Sequence, residues 1–151
     1  MVSNIIRDDL VCQIETIIEE IHKESFQTDD DLLGWLDFYK EVDLPSIENV
    51  QLLNIGIFNG LSGILILFCA YYKINPNKYT FFRKKLLKTI YLLMLDEKEF
   101  THGYAGNISY LYAISLYFNV FKDEESDLAI KNALNCDYKK LFLYKRLDII
   151  D

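Results

Sequence analysis

Charged and uncharged positions divide this chain into stretches of very different character. Leu52–Tyr72 contains no charged residue, and Thr101–Phe121 contains none if His102 is neutral. Between them, Lys78–Leu95 is amphipathic, because one stripe at helical spacing is apolar while the basic residues fall away from it. That stripe consists of Phe82, Leu86, Ile90 and Leu93. A helix that is apolar on every side must be covered on every side, so the pattern predicts buried helices enclosed by amphipathic ones.

The N-terminal third predicts further helices. Apolar residues recur at helical spacing from Asn4 to about Ser25, which indicates an amphipathic first helix. Thr28 or Asp29 is a suitable cap for a second, shorter helix, although Gly34 within it weakens this prediction. Two-residue alternation of β-branched side chains is nearly absent, so we expect no sheet.

These elements predict one all-α domain over residues 1–151. We expect N-terminal helices in residues 1–50 and two or so helical-hairpin repeats in residues 51–151. An arrangement in which amphipathic outer helices enclose apolar inner ones is found in double rings of helices and in α-solenoids.

Two glycine clusters open the two uncharged stretches. The first reads Gly56-Ile-Phe-Asn-Gly60-Leu-Ser-Gly63, and the second reads Thr101-His-Gly103-Tyr-Ala-Gly106. Gly60 and Gly63 align with Gly103 and Gly106 at an offset of 43 residues. Glycine at the start of a buried helix permits close backbone approach and exposes helix N-terminal amides to anions. We expect a structural packing role for these four glycines.

With these clusters the chain resembles the lanthionine synthetase C-like family, the lantibiotic or lanthipeptide cyclases. Gly60-Leu-Ser-Gly63-Ile64 is similar to the family's repeated Gly-Leu-Ala-Gly-Ile motif, whereas Asn107 replaces the aliphatic residue in the second copy. The resemblance covers roughly Ile55–Phe118. It implies a partial α/α toroid, with Gly-x-x-Gly at the starts of inner helices and only the N-terminal repeats present.

The resemblance also implies an activity, namely the addition of a cysteine thiol to a dehydrated residue of a precursor peptide. In the family, zinc activates the thiol and is bound through Trp-Cys and Cys-His-Gly motifs, neither of which occurs here. Cys12, Cys69 and Cys136 match neither motif, so no metal ligand is assigned. His102, in His-Gly-x-x-Gly, is the one catalytic candidate, for proton transfer, although a capping or packing role is favoured for it.

Three interpretations of function therefore stand together. The chain is a cyclase or cyclase fragment, or a non-catalytic helical module that binds a peptide, or, less favoured, a two-helix membrane protein. Whether it is an enzyme is left open, because the zinc motifs are missing. A fragment would require self-association or a complementing chain.

The net charge limits the partners that we expect, and the spacing of the cysteines indicates the cellular compartment. The formal net charge of −7 excludes nucleic acid as an expected partner, because binding to phosphates needs a basic face. Three cysteines without CxxC spacing indicate reduced thiols and a cytoplasmic protein. Each uncharged stretch is long enough to cross a bilayer, but Asn54, Asn59 and Ser62 make the first a poor lipid-facing helix, so membrane insertion is not expected.

Overall fold

The computed structural model describes residues 2–41, 44–96 and 109–122 and the single positions 124, 128 and 131. Its helices and strands follow one another as α1 (Val2–Glu24), β1 (Phe26–Gln27), β2 (Leu33–Gly34), β3 (Leu36–Glu41), β4 (Leu44–Leu52), α2 (Leu61–Tyr71), α3 (Thr80–Asp96) and α4 (Tyr110–Phe121). The amphipathic first helix and the amphipathic helix after the first uncharged stretch are thus confirmed as α1 and α3.

The prediction of an all-α fold is wrong. Two small antiparallel hairpins separate α1 from the other helices, β1 with β2 and β3 with β4, so the fold is mixed and is not an α/α toroid. The predicted short helix after Thr28 does not form. Leu36 and Phe38 alternate with polar or less apolar residues, as do Val50 and Leu52, and this two-residue period is compatible with the observed strands.

The turn between β1 and β2 uses the residues that were expected to cap a helix. The Thr28 amide donates to the Leu32 carbonyl at 2.9 Å, and the Leu32 amide donates to Thr28 Oγ1 at 3.1 Å. Asp31 adopts a left-handed conformation with φ of 62°. A threonine hydroxyl that accepts from a nearby amide stabilises a turn as effectively as a helix start, and here it closes the turn.

The core lies among the helices and includes the buried side chain of Trp35. The residues that are under a tenth exposed include Ile18 of α1, Phe68 of α2, Ile90 of α3 and Ile114 of α4. The two uncharged stretches contribute α2 and α4, each of which buries one face. Neither helix is covered on every side as expected, because Ala70 on α2 and Tyr112 on α4 are exposed. In the described part of the chain, no helix is both long enough and apolar enough to cross a membrane.

Hydrogen bonds and an ion pair join helix α1 to the rest of the protein. Tyr71 Oη donates to Glu15 Oε1 at 2.8 Å, and Lys78 Nζ lies 2.7 Å from Glu19 Oε1. Burial and the Glu15 contact raise the pKa of Tyr71. Trp35 Nε1 donates to the Ile21 carbonyl at 2.8 Å, which joins the end of α1 to the segment between the hairpins.

Arg83 is buried within α3, with 1% of its surface exposed, although the sequence pattern placed it on the outer face. Its guanidinium donates to the Lys78 carbonyl at 2.7 Å and to Thr80 Oγ1 at 3.1 Å. It also lies 5.2 Å and 5.0 Å from the ring centres of Tyr72 and Phe121, a cation–π arrangement. Burial lowers the pKa of Arg83. This arginine joins the ends of α2 and α4 to the turn before α3.

Candidate functional site

The first glycine cluster packs tightly at the start of α2. A Cβ at Gly60 would collide with the carbonyl and side-chain oxygens of Asn54, and one at Gly63 would collide with the Ile57 carbonyl oxygen. Gly60 itself has extended backbone angles, with φ of −158°, so close approach and not unusual backbone geometry requires glycine there. The glycines let the preceding loop lie directly on the first turn of the helix.

The same loop accepts hydrogen bonds from backbone amides at the start of α2. The Leu61 amide donates to the Asn54 carbonyl at 2.8 Å, and the Gly63 amide is shared between the loop carbonyl of Gly56 at 3.4 Å and the N-cap carbonyl of Gly60 at 3.1 Å. Asn54 Oδ1 accepts from the Gly56 amide at 2.6 Å, and Ser62 Oγ donates to the Ile55 carbonyl. Because the loop satisfies these donors, this helix start is a packing motif and offers no anion site.

The second cluster lies outside the described residues, and so do the catalytic candidate His102 and the structural candidates Gly103 and Gly106. Of the three cysteines, Cys12 is exposed on α1 and Cys69 is buried on α2, while Cys136 is outside the described residues. Burial raises the pKa of the Cys69 thiol to about 12, so this thiol stays protonated at neutral pH.

The described residues do not fit the zinc site that the family resemblance implies. Within the described ranges, no three His, Cys, Asp or Glu side chains converge on a point where they would hold a metal. The buried, protonated Cys69 and the exposed Cys12 lie on different helices. No chemical step through a metal is therefore derived for this part of the chain.

One face of the β3–β4 hairpin is apolar and exposed. Leu36 is paired with Leu52, and Phe38 is paired with Val50, so the four side chains project from one face. Their exposed fractions are 52%, 62%, 66% and 55%, respectively. On the opposite face, Gln51 Nε2 donates to Asp37 Oδ2 at 3.1 Å. We call the four residues the hairpin face; a contiguous exposed apolar surface of this kind marks an interaction site.

An apolar cavity of about 170 Å³ lies next to the hairpin face. We call it the inner cavity; Leu52 belongs both to its wall and to the hairpin face. The rest of the wall comes from β2, the loop before α2 and two helices: Thr28, Leu32, Leu33, Gly34, Leu53, Asn54, Ile55, Leu61, Thr89 and Leu93.

A larger, open groove of about 660 Å³ runs between the end of α1 and the start of α3. His22 borders it and packs against the rings of Tyr79 and Phe82, at centroid distances of 4.9 Å and 4.7 Å. Lys85, also on the border, is held 2.6 Å from Asp31 Oδ1, and this contact lowers the pKa of Asp31. Nothing in the sequence around His22 distinguishes it from an ordinary surface histidine.

In the sequence, the only sign of the hairpin face is the two-residue spacing of its apolar residues. Leu36 and Phe38 on one side, and Val50 and Leu52 on the other, stand two residues apart, which is the strand period. The intervening acidic residues and a proline at position 45 obscured this signal. The inner cavity has no counterpart in the sequence, because residues from six segments form its wall.

Comparison with known proteins adds no relative: no family model, no curated protein and no solved structure matches this chain.

Proposed function

We propose that this chain is a lanthionine synthetase C-like protein that binds the peptide during thioether formation and acts as a cyclase fragment. The observation that carries the proposal is the start of α2. There the Gly-Leu-Ser-Gly motif of the resemblance admits no side chain at Gly60 or Gly63 and opens a buried helix.

The described residues favour binding over chemistry. They include no convergent metal ligands, and Cys69 is a protonated core thiol. They do offer an exposed apolar hairpin face and two cavities. We therefore assign peptide binding to this chain and assign thiol activation to a complementing chain. A non-catalytic peptide-binding module, with no cyclase partner, is the second candidate, and the same surfaces support it.

A cytoplasmic location belongs to this proposal. Cys12 and Cys69 are free thiols, one exposed and one buried. Free thiols persist in a reducing compartment.

The test uses the full chain and a fluorescein-labelled peptide that contains one cysteine and one dehydrobutyrine. Fluorescence anisotropy measures binding, and alkylation of the remaining free thiol, counted by mass spectrometry, measures ring formation. A control peptide carries threonine in place of dehydrobutyrine and so cannot cyclise. We expect saturable binding with ring formation at the rate seen in buffer.

Two outcomes would contradict this proposal in different ways. Failure of the chain to bind either peptide at concentrations up to about 1 mM, which corresponds to a binding free energy near −4 kcal/mol, would refute a peptide-binding function. Ring formation well above the rate in buffer would show a complete cyclase and would refute the assignment as a fragment.

A further inference from the structure

The hairpin face and the inner cavity form one continuous apolar surface. Leu52 is 62% exposed on the hairpin face and also lines the inner cavity. Its cross-strand partner Leu36 is 52% exposed. A segment lying along the hairpin face therefore passes the inner cavity at Leu52, with Phe38 and Val50 further along the strands.

The inner cavity has the size and lining for one apolar side chain. Its volume of about 170 Å³ is close to that of an apolar cavity, roughly 150 Å³, that takes up benzene. The hydroxyls of the two threonines in its wall already have partners. Thr89 Oγ1 accepts from the Leu33 amide at 2.9 Å and donates to the Lys85 carbonyl at 3.0 Å. Thr28 Oγ1 accepts from the Leu32 amide. A leucine or phenylalanine side chain suits this lining better than a polar one does.

Acidic residues beside the inner cavity favour a particular charge on the ligand. Thr28 lines the cavity, and the next two residues of the turn, Asp29 and Asp30, are exposed. Neither aspartate has an ion pair with a described residue, whereas Asp31 is paired with Lys85. The whole chain has a net charge of −7. Two free carboxylates next to an apolar cavity favour a ligand with basic residues beside its apolar one.

The same charges count against two other occupants. In a symmetric dimer formed through this surface, both sides of the interface would carry the same acidic turn. Like charges placed opposite one another in an interface cost binding energy. An anionic lipid surface would be repelled in the same way.

We propose that the hairpin face and the inner cavity are a docking site for a peptide segment with one large apolar side chain flanked by lysine or arginine. This inference rests on the proposed peptide-binding function for its class of ligand. The apolar side chain occupies the inner cavity, the neighbouring residues cover the hairpin face, and the basic groups lie beside Asp29 and Asp30.

The test uses short, labelled, amidated peptides without cysteine or dehydrated residues. One carries a phenylalanine between lysines; a second has glutamates in place of the lysines, and a third has alanine in place of the phenylalanine. We expect the first to bind the full chain and the other two to bind at least about tenfold more weakly, as loss of an anchor residue commonly does.

Variants on the protein locate the site. Phe38→Ser combined with Val50→Ser should weaken binding of the lysine–phenylalanine peptide by about tenfold, because it removes two apolar side chains of the hairpin face that are more than half exposed. The matched control is Leu10→Ser on α1, where leucine is 53% exposed, and it should change nothing. Asp29→Asn with Asp30→Asn should weaken binding at low salt and have little effect at high salt.

Several results would overturn the inference. These are equal binding of the lysine and glutamate peptides, unchanged binding by the Phe38→Ser/Val50→Ser variant, and a dimer in sedimentation that this variant abolishes. Binding to phosphatidylserine vesicles, lost in the same variant, would do so as well. Failure of these peptides while the dehydrobutyrine peptide still binds would remove this site and leave the proposed function standing. Binding here without binding of the dehydrobutyrine peptide would remove the proposed function instead.

Discussion

Replacing Gly63 by alanine tests whether the start of α2 requires glycine. Gly63 is the third residue of this helix, and a Cβ there would collide with the Ile57 carbonyl oxygen. Two opposing effects decide the result. Alanine is favoured over glycine in a helix by about 1 kcal/mol. Overpacking typically costs about 1–3 kcal/mol.

The structure indicates that the collision outweighs the helical preference. The colliding atom belongs to the backbone, and Asn54 and Ser62 bond to Gly56 and Ile55 just before it, so it yields less easily than a side chain would. We therefore take the upper part of the overpacking range and expect a net loss of about 1–2 kcal/mol in the free energy of unfolding. For a domain of this size that lowers Tm by roughly 3–6 °C.

The assay is urea and thermal unfolding followed by circular dichroism. Ala70→Gly is the matched control, because Ala70 is exposed on the same helix and the variant reports what glycine costs there without a packing change. It should lose about 1 kcal/mol. A Gly63→Ala protein as stable as the wild type, or more stable, would refute the close-packing argument at this helix.

Three further predictions concern single residues. Arg83→Met should lower the free energy of unfolding by about 2 kcal/mol, because the buried arginine loses its hydrogen bonds to the Lys78 carbonyl and Thr80 Oγ1; an unchanged urea midpoint would contradict the role given to this arginine. In the native protein at pH 8, N-ethylmaleimide should modify exposed Cys12 far faster than Cys69, whose pKa is raised by burial to about 12. Peptide mapping measures the labelling of each cysteine, and rapid labelling of Cys69 would contradict its burial. The contact with Lys85 lowers the pKa of Asp31 below its ordinary 3.8. The stability that this ion pair supplies is therefore fully present above about pH 4 and is lost as the pH falls through the lower pKa of the folded state. Asp31→Asn should therefore destabilise the protein at pH 6 and much less at pH 2; an equal change in Tm at both pH values would argue against this ion pair.

The parts of the fold that the sequence predicts well are those with strong periodicity. Helices α1 and α3 have an apolar stripe at helical spacing, and their observed bounds lie close to the expected ones. The β3–β4 hairpin escaped prediction because each strand shows only two alternating apolar residues. Those residues point to solvent, where alternation has no burial to specify it.

The candidate surfaces were less predictable than the helices. A glycine-led helix start follows from the sequence, since close approach is a general use of glycine. The burial of Arg83 does not follow, because it depends on carbonyl groups of the preceding turn and on the rings of Tyr72 and Phe121. The inner cavity depends on segments far apart in the chain, so no local pattern encodes it.

Trp35 gives this protein a built-in optical reporter. It is the chain's one tryptophan; its indole N–H is bonded to the end of α1, and its ring meets Phe82 of α3 edge-on at 5.9 Å. Its fluorescence therefore follows the joining of the N-terminal helix and hairpins to the helical core, while circular dichroism follows helix content. Coincident unfolding curves from the two signals would mean that both parts melt as one cooperative unit. An earlier fluorescence transition would mean that the N-terminal part detaches while the remaining helices persist.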